Sequence, residues 1–260
     1  MPDRRHLVAG AAVLCVCPIS LPAAADEVLV AVAANFAEVI EELQPIFAAE
    51  TGHTIVATTG STGKLYAQIV ASAPFEVLLS ADAATPARLA EEGMAVGGTR
   101  FTYAVGRLAL WSADAKLIDG DGAAVLEAGT FRHLAIANPN LAPYGIAAQQ
   151  TLESLDLWID LQDKLVMGQN IGQTHSMVAT GAAELGFVAV SAVMSPRNPT
   201  EGSVWEVPQA LFSPIRQDAI LLLPGDDDLA AAAFLEFLSS PKAAAVIEAF
   251  GYALAGDDAA

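Results

Sequence analysis

The sequence predicts an α/β protein of two lobes, each a mostly parallel sheet flanked by helices, joined by two extended hinge crossings. Three observations predict it. Short apolar runs alternate with amphipathic segments, the pattern of βα units. Two longer extended segments, 101–112 and 215–223, interrupt that alternation. A second set of units lies between them, so the chain leaves a first lobe (26–106 and 216–258) for a second (107–215) and returns.

Residues 28–33 (VLVAVA) are apolar throughout and read as a buried strand. Phe36, Val39, Ile40, Leu43 and Phe47 follow at helical spacing, one apolar face of a helix. A second strand at 54–57 passes through Thr58-Thr59-Gly60-Ser61-Thr62-Gly63 into a helix from Lys64 to about Ala73. The third strand, 77–79, precedes a helix that runs through Glu92, with Asp82 as its N-cap. Past the first crossing, 134–137 is a strand, 143–155 and 171–185 are helices, and 186–190 is a strand. The Pro-containing stretch 194–202 is a loop, and helices at about 228–238 and 241–250 close the chain. A cleft between the lobes is where such a molecule would hold a small ligand.

Composition narrows the function. Of 260 residues, 54% are apolar, enough for a full core, and the net charge is −18. Nucleic acid is excluded as a partner, because the 12 Lys and Arg are scattered singly and form no basic face. Residues 1–25 read as a cleaved export signal. Arg4 and Arg5 precede an apolar run at 7–21, and Ala23-Ala24-Ala25 supplies the cleavage motif. Pro18 and Pro22 break the run, which is short for a bilayer span. Both cysteines, Cys15 and Cys17, fall inside this signal, so the exported chain has no disulfide, thiolate metal site or cysteine nucleophile.

Four strand-to-helix turns carry the chemistry: Ala33-Ala34-Asn35-Phe36, Gly60-Ser61-Thr62-Gly63, 138–145 (NPNLAPYG) and Gln169-Asn170-Ile171-Gly172-Gln173. The first N–H groups of a helix have no partner within it, and about half a positive charge resides there. Such an end suits a tetrahedral anion. In any single turn, ordinary capping is the better account of Asn, Ser or Thr; four in one chain make the anion reading competitive with it. Gly60-Ser61-Thr62-Gly63-Lys64 is not a phosphate loop, since Thr58 stands where that motif needs Gly and Leu65 where it needs Ser or Thr. His53, His133 and His175 lack metal-ligand spacing, and no GxSxG elbow is present. The pairs Glu41-Glu42 and Glu91-Glu92 fall on polar helix faces and read as solvated.

At these turns the sequence resembles the periplasmic molybdate-binding proteins. The resemblance rests on VAANF at 32–36, TGSTGKLYAQIVASAPFEVLLSAD at 59–82, RFTYAVGRLALWS at 100–112, IANPNLAPYGIAAQ at 136–149, GQTHSMVATGAAELGFVA at 172–189 and SPKAAAVIEAFGYAL at 240–254. It implies a type II periplasmic-binding fold and a monomer, without cofactor, that takes molybdate or tungstate and delivers it to the membrane permease of an ABC importer. It also implies a site without cationic side chains. Asn35 and the Ala34 N–H would bind from the first turn, and Thr62 through its hydroxyl and N–H, with Ser61 beside it. Tyr144 and Ile171 would offer main-chain N–H groups from the second lobe. Two departures stand out: Ala34 where relatives can carry a hydroxyl, and Ala189 in place of a tyrosine that some members use. Two other readings stay open, an enzyme for a small carboxylic acid on the same scaffold and a binding protein for sulfate or another anion.

Overall fold

The computed structural model describes residues 26–198 and 200–256. The expected signal at 1–25, with both cysteines, lies outside the described residues, as do 257 and 258 of the expected first lobe. The first lobe opens with β1 (Glu27–Ala33), whose apolar residues are buried on both faces, as in the middle of a covered sheet. A 3₁₀ turn (Ala34–Phe36) leads into α1 (Ala37–Thr51), which buries the Val39, Ile40, Leu43 and Phe47 face read from the sequence. β2 (Thr54–Gly60), α2 (Thr62–Val70), β3 (Val77–Leu79) and α3 (Ala84–Glu91) follow. Asp82 accepts the Thr85 N–H at 2.7 Å, the capping role expected of it.

β4 (Phe101–Gly106) and β5 (Leu108–Ser112) are not one continuous strand. They part at Arg107 and belong to different sheets, so this is where the chain crosses between lobes. The second lobe contains α4 (Gly122–Ala128), β6 (Leu134–Ala137), α5 (Pro143–Ser154), β7 (Leu165–Gly168), α6 (Ile171–Ala179), β8 (Leu185–Ala189), α7 (Val190–Val193) and β9 (Ser203–Glu206). β10 (Ile215–Leu221) returns to the first sheet; α8 (Leu229–Leu238) packs on β1 and β10, and α9 (Pro241–Ala249) against α1 and α8.

The sheets run β2-β1-β3-β10-β4 and β7-β6-β8-β5-β9. Both are mixed. β1 pairs in parallel with β2 and β3, and β6 with β7 and β8, whereas β10 and β5 run antiparallel to their neighbours. The antiparallel strands are those that enter from the crossings. Register matters for the site: Ala33 lies level with Gly60, and Ala137 with Gly168, so adjacent parallel strands end together.

Four elements were not legible in the sequence: α4, β7, α7 and β9. The helix expected at 171–185 stops at Ala179, because the chain turns at Gly181 with φ +76° and the next residues lead into β8. The first lobe's core gathers Phe36, Phe47, Phe234 and Phe250, each contributing ~2–3 kcal/mol by removal of its ring from water. The second core is built on Leu134, Ile136, Leu152 and Phe187, and takes in Ala33 and Ala81 from the first lobe. Apolar packing therefore runs across the lobe boundary beside the strand ends.

Candidate functional site

Parallel strands deliver their carboxyl ends, and the helices that follow them, to one edge of a sheet. Here the two sheets present those edges to each other. All four turns singled out in the sequence meet around a cavity with about 200 Å³ of atom-free space, its mouth included. Ala33, Ala34 and Asn35 come from the turn after β1, and Gly60, Ser61 and Thr62 from the turn after β2. Ala142, Pro143 and Tyr144 come from the start of α5, Asn170 and Ile171 from the start of α6, and Ala81 from the end of β3. Every expected site residue (Ala34, Asn35, Ser61, Thr62, Tyr144 and Ile171) thus lines one cavity.

Capping does not account for these turns. The residues preceding the 3₁₀ turn, α2 and α5 (Ala33, Ser61 and Ala142) make no side-chain cap bond. Only at α6 does the cap residue act as one, Asn170 accepting the Gln173 N–H at 2.9 Å. Ser61 is 2% exposed, and its Oγ has no hydrogen-bond partner among the described residues. A buried hydroxyl left in that state carries a desolvation cost. Thr62 Oγ1 accepts the Ala81 N–H at 3.2 Å, which leaves its own hydrogen available to donate. The main-chain starts of α2, α5 and α6 add the positive ends of three helix dipoles.

Among the described lining residues there is no Lys, Arg or His, and no carboxylate. Tyr144 is the titratable one. Burial, reinforced by the neighbouring Tyr252 and Tyr103, holds its phenol well above its ordinary value of 10.0, so it stays neutral. Burial also raises Tyr252 to about 12, against the hydrogen bonds that favour its ionised form.

Asn35 plays a different part from the one its residue type suggests. Its side-chain N–H₂ donates to Gln217 Oε1 at 2.7 Å and to Tyr252 Oη at 3.0 Å, so both hydrogens are engaged within the protein. What Asn35 can turn to the cavity is its main chain. Gln217 was missed in the sequence; its signal is that it and Asp218 are both buried in β10, within the polar run Arg216-Gln217-Asp218. Also unforeseen were the bonds that cross between the lobes. The Gly63 N–H donates to Leu141 O at 3.0 Å, and Lys64 bonds Gln169. On the other side of the cleft, Glu38 accepts from Ser195 Oγ and, at 2.8 Å, from Asn198 Nδ2. Arg197 reaches Glu41 at 3.2 Å and Glu42 at 3.6 Å, so these carboxylates are paired, not merely solvated.

Two mixed sheets, joined by crossings and enclosing uncharged donors between their carboxyl edges, define a two-lobed binding protein for a small solute. The chain belongs to the bacterial extracellular solute-binding proteins, whose family model matches residues 28–253, and within them to the molybdate-binding proteins. The molybdate-binding protein ModA of Azotobacter vinelandii is 50% identical over 236 residues, 91% of this chain and 93% of that protein. ModA of Rhodobacter capsulatus is 49% identical over 247 residues, 95% and 96% of the two chains. The solved Azotobacter vinelandii periplasmic molybdate-binding protein superposes with a TM-score of 0.84 at 42% identity, covering 88% of this chain and 99% of that one.

Proposed function

We propose that this protein is exported to the periplasm, captures molybdate or tungstate between its lobes as a monomer, and delivers the ion to the permease of an ABC importer. The observation that carries the reading is the convergence of four helix starts on one cavity, three of them uncapped, beside the unpartnered hydroxyl of Ser61. A doubly charged tetrahedral ion supplies acceptors for just such donors, and bonds to a charged acceptor are the strong ones. The proposed ligands are the Ser61 and Thr62 hydroxyls with main-chain N–H groups of Ala34, Asn35, Thr62, Tyr144 and Ile171. The proposed lobes are 26–106 with 216–258, and 107–215, with the hinge at the crossings.

Selection against sulfate follows from size, since a smaller ion cannot span donors set for longer metal–oxygen bonds. A protonated phosphate calls for a carboxylate acceptor, and the lining has none. Catalysis would need an acid or base near neutral pKa, whereas Tyr144 is held well above 10.0, so capture without turnover is the reading. The test is thermal denaturation with molybdate, tungstate, sulfate or phosphate. At a thousand times its dissociation constant a ligand adds about 4 kcal/mol, a shift of several degrees. The expected result is a shift with the two large oxyanions; none with either at millimolar concentration refutes the assignment.

A further inference from the structure

Gln217 is 0% exposed and bonds lining residues from both walls of the cavity, Asn35 and Tyr144. Its Oε1 accepts from Asn35 Nδ2 at 2.7 Å and lies 3.1 Å from the Tyr103 hydroxyl, while its Nε2 donates to Tyr144 Oη at 3.1 Å. Tyr252 joins this ring of polar groups: its hydroxyl accepts from Asn35 Nδ2 at 3.0 Å, lies 2.8 Å from Asn35 O, and lies 3.1 Å from Ser191 Oγ. Asn35 and Tyr252 belong to the first lobe and Tyr144 opens α5 of the second.

Two features of the backbone serve this ring. The β10–β4 register shifts between Gln217 and Asp218, a bulge of the kind that re-aims a side chain, and both residues are buried although they are consecutive in a strand. Two residues along β10, Ile215 pairs with Gly106, at the first crossing. A Cβ there would lie 2.2 Å from Tyr144 Oη and 2.7 Å from Gln217 Nε2, so a residue without a side chain is what lets the two meet. None of the ring's hydroxyls faces a charged partner within it, and a buried polar network with every member bonded fixes geometry closely.

We propose that Gln217 is a positioning residue of the oxyanion site: by bonding Asn35 and Tyr144 at once, it sets the turn after β1 against the first turn of α5, so that main-chain N–H groups from both lobes reach one ion. It touches no ligand itself. The proposal rests on the oxyanion reading above. Its mechanism is geometric, since Asn35 and Tyr144 both line the cavity while their side-chain polar atoms point into the ring.

The test is a double-mutant cycle of Gln217→Met, Tyr144→Phe and the pair, with molybdate affinity measured by titration calorimetry and free-protein stability by urea denaturation. Gln217→Met keeps the volume and removes the bonds to Asn35, Tyr103 and Tyr144; Tyr144→Phe keeps the backbone and ring and removes the hydroxyl. Each single change is expected to weaken molybdate binding about tenfold, the equivalent of one hydrogen bond, and the double change little more than either alone. Wild-type affinity in Gln217→Met, with or without a fall in stability, overturns the proposal, because a merely structural residue lowers stability and leaves affinity unmoved. Additive losses in the double mutant also overturn it. Failure of the wild-type protein to bind molybdate overturns the oxyanion reading instead, so the two failures are distinct.

Discussion

Replacing Ser61 with alanine separates an anion ligand from a helix cap more sharply than any other single change. In the free protein the Ser61 hydroxyl is buried and bonded to nothing among the described residues. An unsatisfied buried polar group costs roughly 1–3 kcal/mol, so deleting it should leave free stability unchanged or raise it by up to about 1 kcal/mol, the oxygen-sized void offsetting part of the gain. In the bound state the same deletion removes a hydrogen bond to a charged acceptor, about 1.5–3 kcal/mol. Affinity should then fall roughly 10- to 150-fold. Urea denaturation of the free protein measures the first quantity and calorimetric titration with molybdate the second. An affinity within twofold of wild type refutes the reasoning. A loss of more than about 1 kcal/mol in the free protein with binding intact does so too, since that is the signature of a lost N-cap.

Gly106→Ala places a methyl 2.2 Å from Tyr144 Oη and should destabilise the fold by about 1–3 kcal/mol through overpacking; unchanged thermal stability would show that the crossing is slack. Glu184 gives a pH signature. Burial works against its ionisation, but hydrogen bonds from Arg132 and the His133 N–H outweigh it and hold the carboxyl at about 2, below its ordinary 4.5. Its contribution is therefore complete above pH 4.5 and lost as pH falls towards 2. The carboxylate is 30% exposed, so solvent screening leaves about 1 kcal/mol. The stability gap between wild type and Glu184→Gln, measured by urea denaturation, should narrow from pH 6 to pH 3, and a gap independent of pH would show that the carboxylate's charge is not what stabilises.

The parts of the fold that could be read in advance are those in which local pattern and tertiary role agree. β1 carries its burial in an unbroken apolar run and α1 in its helical spacing, and Asp82 caps as its type and place suggest. β7 and β9 are four residues each, too short to show alternation, and their pairing partners lie far along the chain. Arg107 splits what looks like one strand, because a sheet boundary is a property of partners and not of the segment. The same division runs through the site. Turns that begin helices announce donors, so Ser61 and Thr62 could be singled out as candidates, and both line the cavity. What Asn35 does with its amide is decided by Gln217 and Tyr252, 182 and 217 positions away. A side chain's type fixes what it can bond, and the fold fixes which bond it makes.

A chain of net charge −18 repels the anion proposed as its ligand at long range, so the attraction has to be local and conditional on closure. Uncharged donors meet both needs. They leave no cation buried in an open cleft, where an unpaired charge would be costly, and they strengthen as closing lobes exclude water. The exposed pairs at the rim of the cleft are weak by comparison. Lys64 with Gln169 and Arg197 with Glu41 and Glu42 are solvent-accessible contacts of a kind worth ~0–1 kcal/mol each. The rim therefore adds little to closure, which also draws on buried bonds between the lobes such as Gln217 with Tyr144. A ligand shifts such an equilibrium by its differential affinity for the closed form, and several bonds of about 1.5–3 kcal/mol each to one ion exceed what the rim supplies. A site of this design grips its ion when shut, and a rim held by weak pairs is easily parted, which is the physical requirement on a carrier that must also release.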